Sequence, residues 1–410
     1  MKQQREYPRV TVTPKAERAL AGGHPWVYDT EVTDAQPAEN GALVDVLSAK
    51  GRYLGTGFLS LHSKIRVRIL SRNANDAFDE AFYLRRLAHA WAYRKTVLSG
   101  EVSACRVIFG EADLFPGLTV DRFGNYLVAQ TLSVGIERIK PVLFPLLVKL
   151  LRDDGQQIDG LYERNDVAIR ALEGLEQGKG WFDLSALGLP QPDTCLTDIV
   201  ENGVRYTVDV ENGQKTGFFL DQKFNRRAVA RLAQGRRVLD CFTHTGSFAL
   251  NAAKGGAVHV TAVDVSEAAV EMARHNAAIN GVSDVMDCVA ANVFDLLPQL
   301  AEDGGEPYDF IILDPPAFTK SRKTAQNALR GYKEINYRAM KLLPRGGYLA
   351  TCSCSHFATD AMFRAMLADA AHDAGVQLRQ IEARQQSPDH PILWGVDETD
   401  YLKFYLFQVF

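Results

Sequence analysis

The sequence is poor in cysteine and has no long hydrophobic run, and each shortage excludes a class of protein. Its 410 residues include six cysteines, which are scattered apart from Cys352 and Cys354. Neither a disulfide framework nor a metal site is therefore predicted. No apolar run approaches the ~20 residues of a membrane-spanning helix, and the opening MKQQREYPRV lacks the apolar segment of a secretory signal. We therefore expect a cytoplasmic protein with reduced thiols and no membrane partner.

A strong charge of either sign is also absent, but the charge is unevenly distributed. The net charge is −4, whereas residues 1–72 carry eleven Lys and Arg against seven Asp and Glu. A basic module on an acidic body is typical of a docking face for nucleic-acid phosphates. An ordinary solvated surface explains the same count equally well.

The N-terminal residues 1–73 are predicted to form a small β-barrel, because short alternating segments are separated by glycine-rich turns. The stretch KIRVRIL alternates basic and apolar residues. This alternation predicts that Lys64, Arg66 and Arg68 share one face and contact RNA phosphates. The segments KAERALAGG and HPWVY, with this basic strand, resemble a PUA domain, a compact RNA-binding barrel. For Trp26 and Tyr28, core packing is favoured over RNA contact.

Residues 74–190 are predicted to form a central α+β domain. A helix is expected over residues 76–98, followed by a β-hairpin region with turns at Pro116 and Gly124. An amphipathic helix with Pro141 near its start comes next. In the following strand, Arg164 and Asp166 are interpreted as a structural ion pair.

Residues 191–410 alternate strictly between strands and helices after an initial hairpin with a turn at Asn202-Gly203. This alternation predicts an α/β, Rossmann-like, doubly wound sheet of seven strands. Two final strands without an intervening helix predict a closing antiparallel hairpin, as in class I methyltransferases. In such a sheet, ligands bind outside the carboxyl ends of the strands.

The first strand of this sheet leads into DCFTHTGSF, which has one glycine where a dinucleotide-binding loop has three. Hydroxyl and carboxylate groups from Asp240, Thr243 and Ser247 are suited to an amino-acid tail. The motif therefore favours S-adenosylmethionine (SAM) over NAD. Asp264 ends the second strand, where a carboxylate accepts hydrogen bonds from ribose hydroxyls. A role as a helix N-cap is the alternative, although Ser266 can fill that role.

Two further strand ends carry the residues predicted for chemistry. Asp314-Pro315-Pro316-Ala317-Phe318 resembles the motifs with which nucleic-acid methyltransferases hold a flipped base. Asp314 is expected to bind a cytosine edge and Phe318 to stack on the ring. Cys352 and Cys354 follow on the next strand, where a thiolate can add to carbon 6 of cytosine and activate carbon 5. Alternation places both cysteines on one face, and Cys354 is favoured as the nucleophile. Two small buried cysteines are the structural alternative.

Together, DPPAF, SCSH and SPDHP make nearly the whole chain resemble the PUA-containing 23S ribosomal RNA (cytosine-carbon-5) methyltransferases. The resemblance implies SAM as the cofactor and Cys354 as the nucleophile. The SAM contacts that it implies are Asp240, Phe242, Gly246, Asp264, Asn292 and Asp314. Further predicted contacts are Phe219 and Gln222 from the loop ahead of the sheet, Thr243, Ser247, Val265 and Pro315.

The chain departs from the wider class of RNA 5-methylcytosine enzymes at Ala317, where many of those enzymes have a second cysteine. The base that removes the carbon 5 proton is therefore open, with His356, His390 or a water held by Asp314 as candidates. The substrate is expected to be ribosomal RNA or a subunit assembly intermediate, and a homodimer is possible. The alternatives are a guanine methyltransferase of the same fold, a non-catalytic RNA-binding assembly factor and a small-molecule methyltransferase.

Overall fold

The computed structural model describes residues 6–304, 307–319 and 324–410. Their contacts divide the chain into two compact units. The first unit contains the residues up to Ile199, together with Val208–Leu220 and Pro388–Thr399. The second unit contains Val200–Thr207, Asp221–Ser387 and Asp400–Phe410. Within the described ranges, every helix is too short or too polar to cross a membrane. The predicted boundaries at residues 73 and 190 stay predictions.

The N-terminal part of the first unit is a six-stranded sheet with one helix, α1 (Pro14–Ala21). The strands are β1 (Arg9–Val12), β2 (Trp26–Tyr28), β3 (Val32–Ala35), β4 (Leu43–Ser48), β5 (Tyr53–Leu59) and β6 (Ile65–Ser71). They lie in the order β2-β6-β5-β4-β1-β3. The core is built by valines that alternate with polar residues, such as Val10, Val12, Val44 and Val46, each at most 1% exposed.

The central part of the first unit is a second sheet covered by two long helices, α2 (Glu80–Val97) and α3 (Val134–Asp153). Its strands are β7 (Ala104–Phe109), β8 (Leu118–Phe123), β9 (Tyr126–Thr131), β10 (Gly160–Arg164) and β11 (Lys179–Trp181). They lie in sequential order, and α3 connects the parallel pair β9 and β10. The predicted ion pair is present, since Arg164 Nε lies 3.0 Å from Asp166 Oδ1.

Helix α3 begins earlier than the sequence suggested, so the prediction that Pro141 lies near its start is wrong. Ser133 is the N-cap residue, and both Pro141 and Pro145 lie inside the helix. Each internal proline removes a helical hydrogen bond, at a cost of ~3 kcal/mol. The helix persists because its apolar face, which includes Phe144 and Leu147, is fully buried.

The second unit contains the seven-stranded sheet that the sequence predicted. Its strands are β14 (Arg237–Cys241), β15 (His259–Asp264), β16 (Met286–Ala290), β17 (Phe310–Leu313), β18 (Tyr348–Ser353), β19 (Leu378–Arg384) and β20 (Lys403–Val409). The order is β16-β15-β14-β17-β18-β20-β19, and β20 runs opposite to the other six strands of this sheet. The helices are α4 (Lys223–Ala230), α5 (Ser247–Lys254), α6 (Glu267–Ile279), α7 (Val293–Asp303), α8 (Ala325–Leu342) and α9 (Asp360–Ala374). The carboxyl ends of β14, β15, β17 and β18 therefore meet at one edge.

The predicted hairpin ahead of this sheet is formed by β12 (Leu196–Glu201) and β13 (Val204–Asp209). Asn202 and Gly203 both have positive φ, 55° and 77°, as a two-residue hairpin turn requires. From the hairpin, the Tyr206 hydroxyl accepts a hydrogen bond from Asn251 on α5 at 2.8 Å. The hairpin is thus hydrogen-bonded to α5, the helix that follows the loop after β14.

Candidate active site

The loop after β14 is organised by a fully buried carboxylate, Asp240. Its Oδ2 accepts hydrogen bonds from Thr243 Oγ1 at 2.5 Å and from the Ala249 backbone N–H at 2.8 Å. Its Oδ1 is buried without a hydrogen-bond partner among the described residues. Burial raises the pKa of the Asp240 carboxyl to about 7, and the nearby Asp314 and Asp264 add to this rise.

The Asp240 carboxyl is expected to make stability depend on pH. Its pKa is about 7 in the folded protein, against ~3.9 in an unfolded chain. The folded state therefore binds the proton more tightly, and this group's contribution to stability falls as pH rises between these two values. Asp240→Asn should raise the melting temperature of the ligand-free protein at pH 8 by more than at pH 5. Equal effects at both pH values in thermal unfolding would contradict the assignment.

The second strand end, at Asp264, is tied to the same loop. Asp264 Oδ2 accepts from the His244 backbone N–H at 2.9 Å, and Oδ1 accepts from the Ser266 N–H at 3.0 Å. Ser266 itself is the N-cap residue of α6, since its side chain accepts from Ala269 N. Asp264 therefore binds the loop backbone and does not cap α6. The adjoining Val265 is 75% exposed.

The β14 loop has an unusual backbone, with three residues in the left-handed region. Phe242 and His244 adopt positive φ angles of 64° and 53°, and Gly246 has φ 85°. A Cβ atom on Gly246 would lie 3.1 Å from side-chain atoms of Ala273 and Met286. Glycine is thus required here both for its φ angle and for close packing against α6 and β16. Ser247 begins α5 and is 8% exposed.

Asp314, which follows β17, contacts the loop ahead of α4 and also interacts with Cys352 on β18. Gln222 Nε2 donates to Asp314 Oδ1 at 3.0 Å, and Gln222 is 3% exposed. Cys352, on the neighbouring strand β18, is fully buried. Burial raises the pKa of the Cys352 thiol well above its ordinary value, and the Asp314 carboxylate raises it further. Cys352 is therefore held in the protonated form.

Cys354 differs from Cys352 in exposure and position. Strand β18 ends at Ser353, so Cys354 is the first residue after it and is only partly buried. The prediction that the two cysteines share one face extends the strand's alternation to a residue just beyond it, and it stays a prediction. The turn that carries Cys354 is fixed by Ser355, whose hydroxyl donates to Thr319 O at 3.1 Å.

An aromatic cluster flanks this edge of the sheet. The Phe318 ring centroid lies 4.6 Å from Tyr332, 5.9 Å from Phe294 and 6.5 Å from Phe242. Phe318 is half-buried and Phe294 is 38% exposed. Two predicted site residues, Phe242 and Phe318, are thus brought together, whereas Tyr332 and Phe294 were missed because no motif contains them.

Other predicted residues are already engaged in structural contacts. Asn292 is the N-cap of α7, where its Oδ1 accepts from Phe294 N and its Nδ2 donates to Asp295. Pro315, next to Asp314, is buried. Phe219 belongs to the first unit, where Lys215 Nζ lies 4.3 Å from its ring centroid. The SAM contact predicted for Asn292 stays a prediction.

The three basic residues predicted to bind RNA lie in the first unit and differ in their surroundings. Lys64 is exposed, and Arg66 Nη1 donates to Ser60 O at 2.7 Å. The Arg68 side chain is 11% exposed and pairs with Glu173 at 2.9 Å and with Glu111 at 3.6 Å. This arrangement favours a structural role for Arg68 over the predicted phosphate contact.

Two of the candidate proton acceptors were histidines, and their environments also differ. His356 lies two residues after Cys354, and its Nδ1 is buried without a hydrogen-bond partner among the described residues. His390 belongs to the first unit and is 2% exposed. Its Nδ1 lies 3.1 Å from Asp389 Oδ1, and its ring packs 5.5 Å from Phe109. His390 is therefore committed to the packing of the first unit.

Comparison with protein families identifies both parts of the chain. A family model described as S-adenosylmethionine-dependent methyltransferase matches residues 188–408. A second model, described as a PUA-like domain, matches residues 10–72. A putative SAM-dependent methyltransferase from Streptococcus mutans superposes with a TM-score of 0.80 at 21% identity, covering 98% of this chain and 99% of that one. Another putative methyltransferase structure, complexed with SAH, has a TM-score of 0.82 at 20% identity over 98% of this chain and 99% of that one. These likenesses confirm the predicted fold.

Curated relatives share more sequence. The ribosomal RNA large subunit methyltransferase I of Klebsiella pneumoniae is 38% identical, covering 98% of both chains. The protein of the same name from Shewanella amazonensis is 40% identical over 96% of this chain and 98% of the relative. The chain therefore belongs to the S-adenosylmethionine-dependent methyltransferase family, with the proteins named ribosomal RNA large subunit methyltransferase I, and its cofactor is S-adenosylmethionine.

Proposed function

We propose that this protein transfers a methyl group to carbon 5 of a cytosine in the RNA of the large ribosomal subunit. The curated relatives carry the name of a large-subunit ribosomal RNA methyltransferase. The observation that carries the choice of cytosine is the thiol of Cys354 just beyond the carboxyl end of β18. The neighbouring strand is β17, which Asp314 follows. Guanine ring nitrogens are already nucleophilic and need no thiolate, so this thiol disfavours the guanine alternative.

The strand ends suit the cofactor. Each Asp264 oxygen accepts one backbone hydrogen bond, and a carboxylate has about four acceptor positions, so capacity remains for ribose hydroxyls. The exposed Val265 offers an apolar surface for adenine. The unpartnered Asp240 Oδ1 offers an acceptor close to the loop of Phe242, Thr243, Gly246 and Ser247. When bound, SAM supplies an electrophilic methyl group, and we assign its binding to these residues together with Gln222 and Asp314.

The residues that follow β17 and β18 provide the chemical groups that cytosine methylation requires. The Cys354 thiolate would add to carbon 6, and the electrons of the 5,6 double bond would move to carbon 5, which would attack the methyl group. The methyl–sulfur bond would break, and its electron pair would leave on the sulfur of S-adenosylhomocysteine. A base then removes the carbon 5 proton, the double bond re-forms and the thiolate leaves. We propose His356 as this base because its Nδ1 is buried and unpartnered among the described residues. Asp314 binds the cytosine edge, and Phe318 supports the ring.

Cys354 rather than Cys352 is proposed as the nucleophile. The reactive species is the thiolate, so a nucleophile needs access and a thiol that can ionise. Cys352 has no exposed surface, and burial and Asp314 both raise the pKa of its thiol. Cys354 is partly exposed and lies beyond the end of β18.

The proposal is tested with ribosomal RNA from cells that lack this protein. The RNA is incubated with purified protein and methyl-labelled SAM, digested to nucleosides and separated. We expect the label in 5-methylcytidine. A label in a methylguanosine would overturn the choice of base and of nucleophile. If naked RNA is not labelled, the assay is repeated with assembled precursor subunits, and an absence of label from both would argue against an RNA substrate.

RNA binding is proposed to involve a basic face formed by Lys64, which immediately precedes β6, and Arg66 within β6. Each phosphate contact that is removed should weaken binding and lower the slope of log affinity against log salt by about 1. Lys64→Ala and Arg66→Ala should each show this change in fluorescence titrations with a ribosomal RNA fragment. Lys50→Ala, which removes an exposed lysine from the turn between β4 and β5, is the matched control. If all three variants keep the slope of the unmodified protein, the proposed face is wrong.

A further inference from the structure

A buried lysine lies at the start of β20, next to the turn that carries Cys354. Lys403 is 7% exposed and is the register partner of Ser353 on β18. Its ammonium group donates hydrogen bonds to the backbone oxygens of Ser355 at 2.7 Å and Tyr401 at 2.9 Å. Among the described residues, no carboxylate oxygen lies within ion-pair distance of it. A buried charge held only by neutral carbonyl groups is costly, so its retention calls for a partner.

The ionisable groups around this ammonium come from several elements. Burial lowers the pKa of Lys403, whereas Cys354, Asp400 and Asp360 oppose this decrease. Asp360 begins α9 and already accepts a hydrogen bond from the Tyr405 hydroxyl. Cys352 and Tyr332 are the other ionisable groups that interact with Cys354. The Cys352 thiol is held protonated, and burial raises the pKa of Tyr332 to about 12. The Asp314 carboxylate acts on both of them.

We propose that Lys403 is a positioning residue for the nucleophile, whose ammonium group stabilises the thiolate form of Cys354. This inference rests on the proposed function for its catalytic meaning. The attraction is reciprocal, because the thiolate offsets the cost of keeping an ammonium ion buried in the sheet. The hydrogen bond to Ser355 O also fixes the chain one residue beyond Cys354, so charge and position come from the same group. Lys403 touches neither the base nor the methyl group in this account.

The arrangement explains how two thiols only two residues apart can differ in their tendency to ionise. Cys352 faces the carboxylate of Asp314, and a negative charge disfavours its ionisation. Cys354 lies near the positive charge of Lys403, which favours ionisation. The two cysteines are therefore separated by their electrostatic surroundings as well as by their burial.

The inference is tested by the pH dependence of iodoacetamide alkylation at Cys354 in the full chain, followed by peptide mass spectrometry. Lys403→Met removes the positive charge and should raise the apparent pKa of the Cys354 thiol by about one unit or more. Alkylation at a fixed pH below the thiol pKa should then slow by about tenfold. Lys403→Arg, which keeps the charge, should retain most of the original reactivity. Lys333→Met, which removes a surface lysine of α8, is the matched control.

An unchanged pH profile in Lys403→Met would overturn the inference, and so would an equal loss of reactivity in the methionine and arginine variants. If Lys403→Met does not fold, Lys403→Gln keeps hydrogen-bond donors without the charge and should show the same rise in thiol pKa. Alkylation needs neither RNA nor SAM, so this result is independent of the proposed function. The RNA assay could place the label in methylguanosine while Lys403→Met still raises the pKa of the Cys354 thiol. That combination would support the Lys403–Cys354 interaction and remove only its catalytic role.

Discussion

Cys354→Ala should abolish methyl transfer to ribosomal RNA while leaving cofactor binding in place. Without the thiolate, carbon 5 of cytosine is too weak a nucleophile to attack the methyl group, and removing a catalytic nucleophile costs about 10³-fold or more in turnover. Cys354 is only partly buried and follows the end of β18, so its truncation leaves the core of the sheet unchanged. Single-turnover assays with labelled SAM measure the loss, and calorimetric titration with SAM measures the retained binding.

Cys352→Ala is the matched control for this prediction. The two cysteines are two residues apart, but Cys352 is fully buried with a thiol whose pKa burial raises well above the ordinary value. Its variant should keep most of the turnover and lose some stability, since a buried side chain is shortened. The reverse pattern, with Cys352→Ala inactive and Cys354→Ala active, would exchange the roles of the two residues.

Arg226→Met should destabilise the second unit by about 3–5 kcal/mol, because it leaves the partner carboxylate buried and unpaired. Arg226 on α4 and Glu201 on β12 are at most 1% exposed. The guanidinium Nε and Nη2 lie 2.7 Å and 2.9 Å from the two Glu201 oxygens. Removing either member of this buried pair leaves the other charge without compensation in the protein interior. Chemical denaturation followed by circular dichroism measures the change.

Two variants control the Arg226 prediction. Replacing both partners, Arg226→Met with Glu201→Leu, removes the unpaired charge and should restore much of the lost stability. Arg338→Met breaks an exposed ion pair with Glu334 on α8 and should leave the unfolding midpoint unchanged. If Arg226→Met unfolds at the same denaturant concentration as the unmodified protein, the buried pair contributes nothing to stability.

The strand and helix order of the second unit was predictable because its signals are local. Apolar strands alternate with helices, and Asp240, Asp264, Asp314 and Cys352 each lie at a strand's carboxyl end or within one residue of it. The sequence alone therefore indicated which strand ends meet. The Asn202-Gly203 turn was likewise predictable, since positive φ angles restrict the residue types that fit.

Contacts between distant residues were not predictable in this way. Lys403 contacts Ser355 across 48 positions of sequence, and no motif marks a lone lysine in an apolar strand. Arg68 shares the alternating pattern of Lys64 and Arg66. Its guanidinium group, however, forms an ion pair with Glu173, which lies 105 positions away in the sequence. The sequence pattern gives the face of a strand, whereas the partner that reaches that face depends on the tertiary fold.

The covalent step is tested most directly with a ribosomal RNA fragment that carries 5-fluorocytosine. Carbon 5 then bears fluorine in place of the proton that must leave, so the Cys354–carbon 6 bond cannot be released after methyl transfer. Incubation with SAM should give a stable protein–RNA adduct, with the added mass on the peptide at Cys354 and no adduct in Cys354→Ala. Methylation of cytosine without any adduct, or an adduct on Cys352, would contradict the account.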